Sequence, residues 1–168
     1  MNYLKTLSII SSTQAKYNLI FDAILTCLDD KVKSTTIVSD SKIFIENYSK
    51  LAKINTYPNE ISKEWEIYNK ELSKEIIYKV TKYEQEFLKE SLFKSIVVDR
   101  RYLYGRNCKS KQDYSLRYPI KELEKRLYIM AYEIINIFEK KKIDVALSFG
   151  ISNIQDYLIY IISKSKGI

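Results

Sequence analysis

The chain reads as an α/β domain: a mostly parallel sheet of about four strands with helices on its faces. Three observations predict this. Short runs rich in Ile, Val, Leu and Thr alternate with longer stretches whose apolar residues recur every three or four positions. Strands separated by helices need crossover connections, which give parallel pairing. Gly (3) and Pro (2) are so scarce that the many tight turns of a sandwich or barrel are excluded. At 168 residues the chain is long enough for one domain with a buried core. Its 46% apolar and 29% charged composition fits a folded chain rather than a disordered one.

The elements follow in order. Lys5–Ser11 is a short buried strand. Ser11, Ser12 and Thr13 offer N-caps for a helix from about Gln14, with Tyr17, Ile20, Phe21, Ile24, Leu25 and Leu28 on a broad apolar face. Cys27 lies in that pattern and is expected in the core. Thr35–Val38 is a second, β-branched strand, and Lys42–Lys53 a second helix. The stretch Asn55–Asn59, with Pro58, breaks the pattern.

From Ile61 to about Phe93 the chain has helical character, with Trp65, Tyr68, Leu72, Ile76, Val80, Tyr83 and Phe87 on one side. Pairs such as Glu71–Lys74, Glu75–Lys79 and Glu90–Lys94 add about 0.2–0.5 kcal/mol each. That length exceeds what covering a sheet requires. Either a break falls near Ser73 or Thr81, or the helix projects as an arm or lid. Ser95–Val98 is taken as the third strand and Asp99–Pro119 as an irregular loop. A helix then runs from Pro119 to about Lys142, with Leu123, Leu127, Met130, Ala131, Ile134, Ile135 and Phe138 inward. Val145–Phe149 is the fourth strand. Gly150 turns the chain, Ser152 or Asn153 caps a last helix, and Gly167 ends it as a C′ residue.

Net charge is +7. Between Asp99 and Arg126 lie nine basic residues against four acidic ones, a surplus of +5. A solvated loop and helix face accounts for most of them. An anionic partner is the functional alternative: a nucleotide, an anionic membrane surface or, less favoured, nucleic acid. The chain has no histidine, which excludes imidazole bases and ligands from its own residues. Two distant cysteines, Cys27 and Cys108, make neither a disulfide framework nor a zinc site. No metal or cofactor is expected. The apolar run Leu7–Ile10 is too short for a signal core, and no stretch reaches a spanning length of ~20 apolar residues. A cytoplasmic protein, peripheral to the inner membrane face, is expected. The fifteen Tyr read as drift in an AT-rich genome rather than chemistry.

Candidate site residues cluster where strands end. Gly150, Ser152 and Asn153 follow the fourth strand, where a glycine admits close approach and a helix start offers N–H groups to an anion. An ordinary strand-to-helix turn is the plainer account. Asp99 can act as a base or bind a hydroxyl, and Arg100 and Arg101 can grip phosphate. A local ion pair is the plainer account there. Ser12 and Lys16 stand between the first strand and first helix, although Ser12 also suits a simple cap. Tyr102, Tyr104 and Arg106 mix aromatic and basic groups as base- or sugar-stacking surfaces do. Neither a three-glycine dinucleotide fingerprint nor a GxxxxGK[ST] loop is present.

One longer stretch carries a resemblance. Tyr83-Glu84-Gln85-Glu86-Phe87-Leu88 precedes Asp99-Arg100. Then come a basic loop, a helix, Ile143-Asp144-Val145-Ala146-Leu147-Ser148-Phe149, Asp156-Tyr157-Leu158 and Ser163-Lys164-Ser165-Lys166-Gly167-Ile168. In this order, over roughly residues 80–168, the chain resembles the amino-terminal half of bacterial capsular and surface-polysaccharide biosynthesis proteins related to two-domain glycosyltransferases. The resemblance implies a Rossmann-like first domain that shapes the acceptor side of a cleft, with a second domain holding the nucleotide-sugar donor. Residues 1–168 would then be the N-terminal part of a larger protein, with a sheet incomplete at its C-terminus. Nucleotide-sugar and glycan acceptor are the implied ligands, and Asp99, Arg100 and the Gly150 turn the implied cleft residues. Two other readings stand beside it: a basic RNA- or polyanion-binding module using residues 100–126, and a helical interaction protein docking through 61–93.

Overall fold

A computed structural model describes residues 7–13, 18–28, 31–39, 42, 59–99, 118–148, 150, 151 and 153–168. Four strands form one open sheet: β1 (Leu7–Thr13), β2 (Val32–Ser39), β3 (Asn59–Lys63) and β4 (Val145–Ser148). Their order is β3-β2-β1-β4, and every pairing is parallel. With its flanking helices this is an α/β fold of the Rossmann-like kind. The helices are α1 (Asn18–Cys27), α2 (Glu64–Ile67), α3 (Lys74–Phe87), α4 (Lys94–Val98), α5 (Ile120–Lys140) and α6 (Ile154–Ser165). The expected Lys42–Lys53 helix lies outside the described residues, except Lys42 itself.

The third strand is not where local preference puts it. Ser95–Val98 forms the short helix α4, closed by tight bonds from Ser95 N to Leu92 O (3.0 Å) and Ile96 N to Phe93 O (3.1 Å). The Ser95 hydroxyl donates to Leu92 O as well (2.6 Å). Ser95 and Ile96 are buried together while Val97 is exposed, which is not the alternation of a strand. The real third strand, β3, carries Asn59, Glu60 and Lys63 at the sheet edge. Polar and charged residues suit an edge, and they hide the strand signal.

The 61–93 stretch breaks at Ser73, whose hydroxyl accepts from Ile76 N (3.2 Å) and caps α3. Ile76, Val80 and Tyr83 of α3 are buried, whereas Phe87, expected inward, is 55% exposed. Lys79 pairs across to Glu139 of α5 (2.5 Å) and Asn136 (2.7 Å) rather than with Glu75. All seven residues expected on the inner side of α5 are buried. They pack with α3, α4 and α6 into one core that also takes Ile10 of β1 and Val38 of β2. Cys27 is exposed, contrary to expectation. It lies with Ile20 and Ala23 on a stripe of α1 that the sheet does not cover.

Helix α6 is the hinge between sheet and helical layer. Its end is a Schellman turn: Gly167 has φ +72°, Gly167 N donates to Lys164 O (3.2 Å) and Ile168 N to Ser163 O (3.0 Å).

Candidate functional site

The strand order places β1 beside β2, with β3 further out on that side, and β4 on the other side of β1. The chain therefore reverses its winding between β1 and β4. In open α/β sheets a crevice forms outside the carboxyl ends of the strands at such a switch point. Here Ser12 of β1 pairs in register with Ser148 of β4, the last residue of its strand. The Ser148 side chain is exposed. Its Oγ donates to Gly150 O (2.5 Å) and accepts from Gly150 N (3.3 Å), so this tight turn folds on the serine. Among the described residues, a Cβ built on Gly150 would meet nothing within 4 Å, so the turn borders open space there.

The other wall is the start of α6. Asn153 is the N-cap: its Oδ1 accepts from Asp156 N (2.7 Å) and its carbonyl from Tyr157 N (3.1 Å). Asp99, at the end of α4, is fully buried, and its Oδ2 accepts from Ile154 N (3.1 Å). Two orphan N–H groups of the helix start are thus satisfied by the protein's own side chains. Asp99 is a long-range cap rather than an open-cleft base, and the helix start is not a vacant anion cradle.

Of the sequence candidates, the fold brings together Ser12, Gly150, Asn153 and Asp99 around the β1–β4 end and the α6 start. Lys16, Arg100, Arg101 and Ser152 lie outside the described residues, as does the Tyr102–Arg106 stretch. Arg126, from the basic segment, is engaged within the fold: its Nε donates to Glu122 (2.7 Å), and its guanidinium stacks over Tyr68 (4.8 Å) and Tyr118 (4.5 Å). Sequence reasoning missed Ser148, which was legible as the last hydroxyl before Gly150. Gln155 is the polar member of the Gln155, Leu158, Ile159, Ile162 stripe that faces the core.

A second polar cluster runs along α6 from Tyr157 in its first turn to Lys164 in its last. Glu90 accepts from Lys94 (3.2 Å) and the Tyr157 hydroxyl (3.0 Å), and Lys164 lies 3.5 Å away. The Lys94 hydrogen bond, then that of Tyr157, holds the Glu90 carboxyl below its ordinary value. Burial, then Glu90, raises Tyr157. The bond to Tyr160 raises Lys164. An open cavity of about 340 Å³ lies against this cluster, walled by Phe87, Leu88 and Ile161 among others. Among the described residues no group of three or more Cys, Asp or Glu could hold a metal ion. Nor, among them, is any helix long and apolar enough to cross a membrane.

No family model matches the chain, and no curated protein matches it. Among solved structures, a CDPS from Fluoribacter dumoffii is similar, with 17% sequence identity and a TM-score of 0.46, over 94% of this chain and 84% of that one.

Proposed function

We propose that this chain is a ligand-binding α/β domain whose site is the crevice at the β1–β4 switch point, and that it serves the acceptor side of a glycosyltransferase-like protein of surface-polysaccharide assembly. One observation supports the binding site. The reversal of strand order sets Ser12 opposite Ser148 at the carboxyl edge, beside the open space at Gly150. The groups there suit a polyhydroxylated ligand: the exposed Ser148 hydroxyl and the capping amide of Asn153. The glycosyl-transfer part draws on the resemblance over residues 80–168. In this reading Asp99 serves the site by holding the start of α6 and takes no proton from substrate.

Ligand-observed NMR and calorimetry on the full-length protein test it, with UDP-glucose, UDP-galactose and methyl hexosides as probes. Gly150→Phe adds bulk at the turn that borders the crevice; among the described residues a Cβ there meets nothing within 4 Å and the glycine has no positive φ. The expected result is saturable binding of at least one probe by the native chain and its loss in Gly150→Phe. Binding of none of them, or undiminished binding by the variant, overturns the site. Retention of RNA that falls steeply with salt, with no sugar bound, favours the polyanion module instead.

A further inference from the structure

The open cavity of about 340 Å³ beside Glu90 has no part in the reading just proposed. Its walls include Phe87, Leu88, Lys89 and Glu90, at the end of α3 and in the turn after it, and Ile161 and Lys164 from the last turns of α6. Its volume falls within the usual range of small-molecule pockets, about 300–1,000 Å³. Both walls are held by the fold itself. Leu88 N donates to Glu84 O (3.1 Å) and Leu92 N to the Glu84 carboxylate (2.9 Å), which fixes the turn after α3. The Schellman turn at Gly167 fixes the end of α6.

The cavity combines apolar surface with positive charge. Phe87 is 55% exposed, yet its ring is held 5.0 Å from that of Tyr83. With Leu88 and Ile161 it presents an ordered apolar wall. Lys89 is exposed and has no acidic partner among the described residues. Lys164 is exposed too, and two more lysines stand close by: Lys94 on Glu90 (3.2 Å) and Lys166 over the Tyr83 ring (5.9 Å). Glu90 is the acid of the wall, and its carboxylate already receives Lys94, the Tyr157 hydroxyl (3.0 Å) and Lys164 (3.5 Å). The nearby Glu86 faces Lys82 (3.9 Å).

We propose that this cavity is a second ligand site, independent of the switch-point crevice, and that it takes an apolar monoanion. The body of the ligand lies against Phe87, Leu88 and Ile161, and its anionic head meets Lys89 and Lys164. Charge complementarity selects the sign. An amine would approach a group of lysines and find Glu90 saturated with donors. A neutral alcohol would gain the apolar wall and nothing from Lys89. Lysine is a point charge rather than a fork, so the head can be a carboxylate or a sulfate. The body can be an aliphatic chain or an aromatic ring, and the probes separate these sources.

Calorimetry and chemical-shift titration on the full-length protein use octanoate, octyl sulfate, 3-phenylpropionate, octan-1-ol and octylamine, each below its micelle-forming concentration. Saturable binding of octanoate or 3-phenylpropionate is expected, with octan-1-ol weaker and octylamine weakest, and with shifts at Phe87, Leu88 and Ile161. Octanoate without 3-phenylpropionate points to an aliphatic body, and the reverse to an aromatic one. Lys89→Glu is expected to weaken the bound anion at least about fivefold, since an exposed attraction becomes a repulsion. Phe87→Ser is expected to weaken it at least about threefold through loss of the apolar wall. Both side chains are exposed, so both variants are expected to fold. Lys33→Glu makes the same charge change at an exposed lysine of β2 that does not line the cavity, and is expected to leave binding unchanged. An equal loss in Lys33→Glu would mean charge attraction without a site and overturns the proposal. So does octylamine binding as tightly as octanoate, or an absence of saturable binding by every anion. Shifts at Gly150 and Asn153 instead of the cavity walls place the ligand in the crevice and overturn the second site. Binding to vesicles of anionic lipid with none of the monomeric anions bound overturns it as well, and favours a membrane surface.

Discussion

The two ends of α6 differ in the polar groups they leave unmatched: among the described residues, side-chain amides at the amino end and the Ser163 hydroxyl at the carboxyl end. Along α6, from Tyr157 in its first turn to Lys164 in its last, Glu90 gathers Lys94, Tyr157 and Lys164; toward the carboxyl end Lys164 also reaches Tyr160 (3.5 Å), and the Ser165 hydroxyl donates to Ile162 O (2.7 Å). A cavity lies against that cluster, yet its central carboxylate is already partnered. At the amino end the backbone is capped by Asn153 and Asp99, while, among the described residues, three side-chain amide atoms of Asn153 and Gln155 are buried and unmatched. A closed polar cluster stabilises the fold, and an unmatched one weakens it.

Five substitutions break or sharpen this contrast. The largest effect is expected from Leu158→Ala, which opens a void on the stripe joining the two ends. A cost of about 2–5 kcal/mol is expected in urea denaturation, with amide exchange quickened at both ends. Quickening at one end alone would mean that α6 does not transmit packing along its length. Asp99→Ala comes next. It strands the Ile154 N–H in a buried setting, so a cost of about 1–3 kcal/mol is expected, with exchange quickened at the amino end and unchanged near Glu90. Asn153→Ala removes the cap and is expected to cost about 1 kcal/mol. Its companion Asn153→Asp keeps the accepting oxygen and deletes the unmatched Nδ2. A loss at neutral pH that shrinks in acid is expected there, because the new carboxylate is buried beside Asp99 and Asp156.

The smallest effect belongs to Glu90→Gln and is one of pH. The Glu90 carboxyl lies below its ordinary value of 4.5 because Lys94 and Tyr157 bond its charged form. Around that pH the unfolded chain binds the proton more readily than the folded one. The stabilisation is therefore present above the ordinary value and is lost as pH falls through the lowered one. Native chain and Glu90→Gln are expected to differ slightly in Tm at neutral pH and to converge in acid. A gap that persists at low pH would mean that Glu90 acts through packing rather than charge.

Legibility in the sequence followed the range of the interaction. The α5 face was readable because seven apolar positions repeat on one helix, and the Gly167 stop because a left-handed C′ residue is a local need. The break at Ser73 was one of three outcomes left open, beside a break near Thr81 and an unbroken projecting helix, since a serine cap acts within three residues but does not exclude a helix running through. Ser95–Val98 misled because four apolar or small residues suit a buried strand and a buried helical turn equally well. The strand Asn59–Lys63 was hidden because an edge tolerates charge. Among the site residues, the exposed turn at Gly150 was readable. The role of Asp99 was not, because its bond to Ile154 N spans 55 residues.

By itself, then, the sequence determined the inner face of α5, the Gly167 stop of α6 and an α/β class with parallel pairing, and it narrowed the cap of α6 to Ser152 or Asn153. These depend on periodicity and on bonds made within a turn or two of each residue. Tertiary structure alone decided that the third strand is Asn59–Lys63, that Cys27 faces outward, that Asp99 caps a distant helix and that Gln155 is buried without a partner. Each of those outcomes turns on which surfaces meet. The free energy of a buried amide or carboxylate is set by neighbours brought to it from elsewhere in the chain, and local pattern carries no record of them.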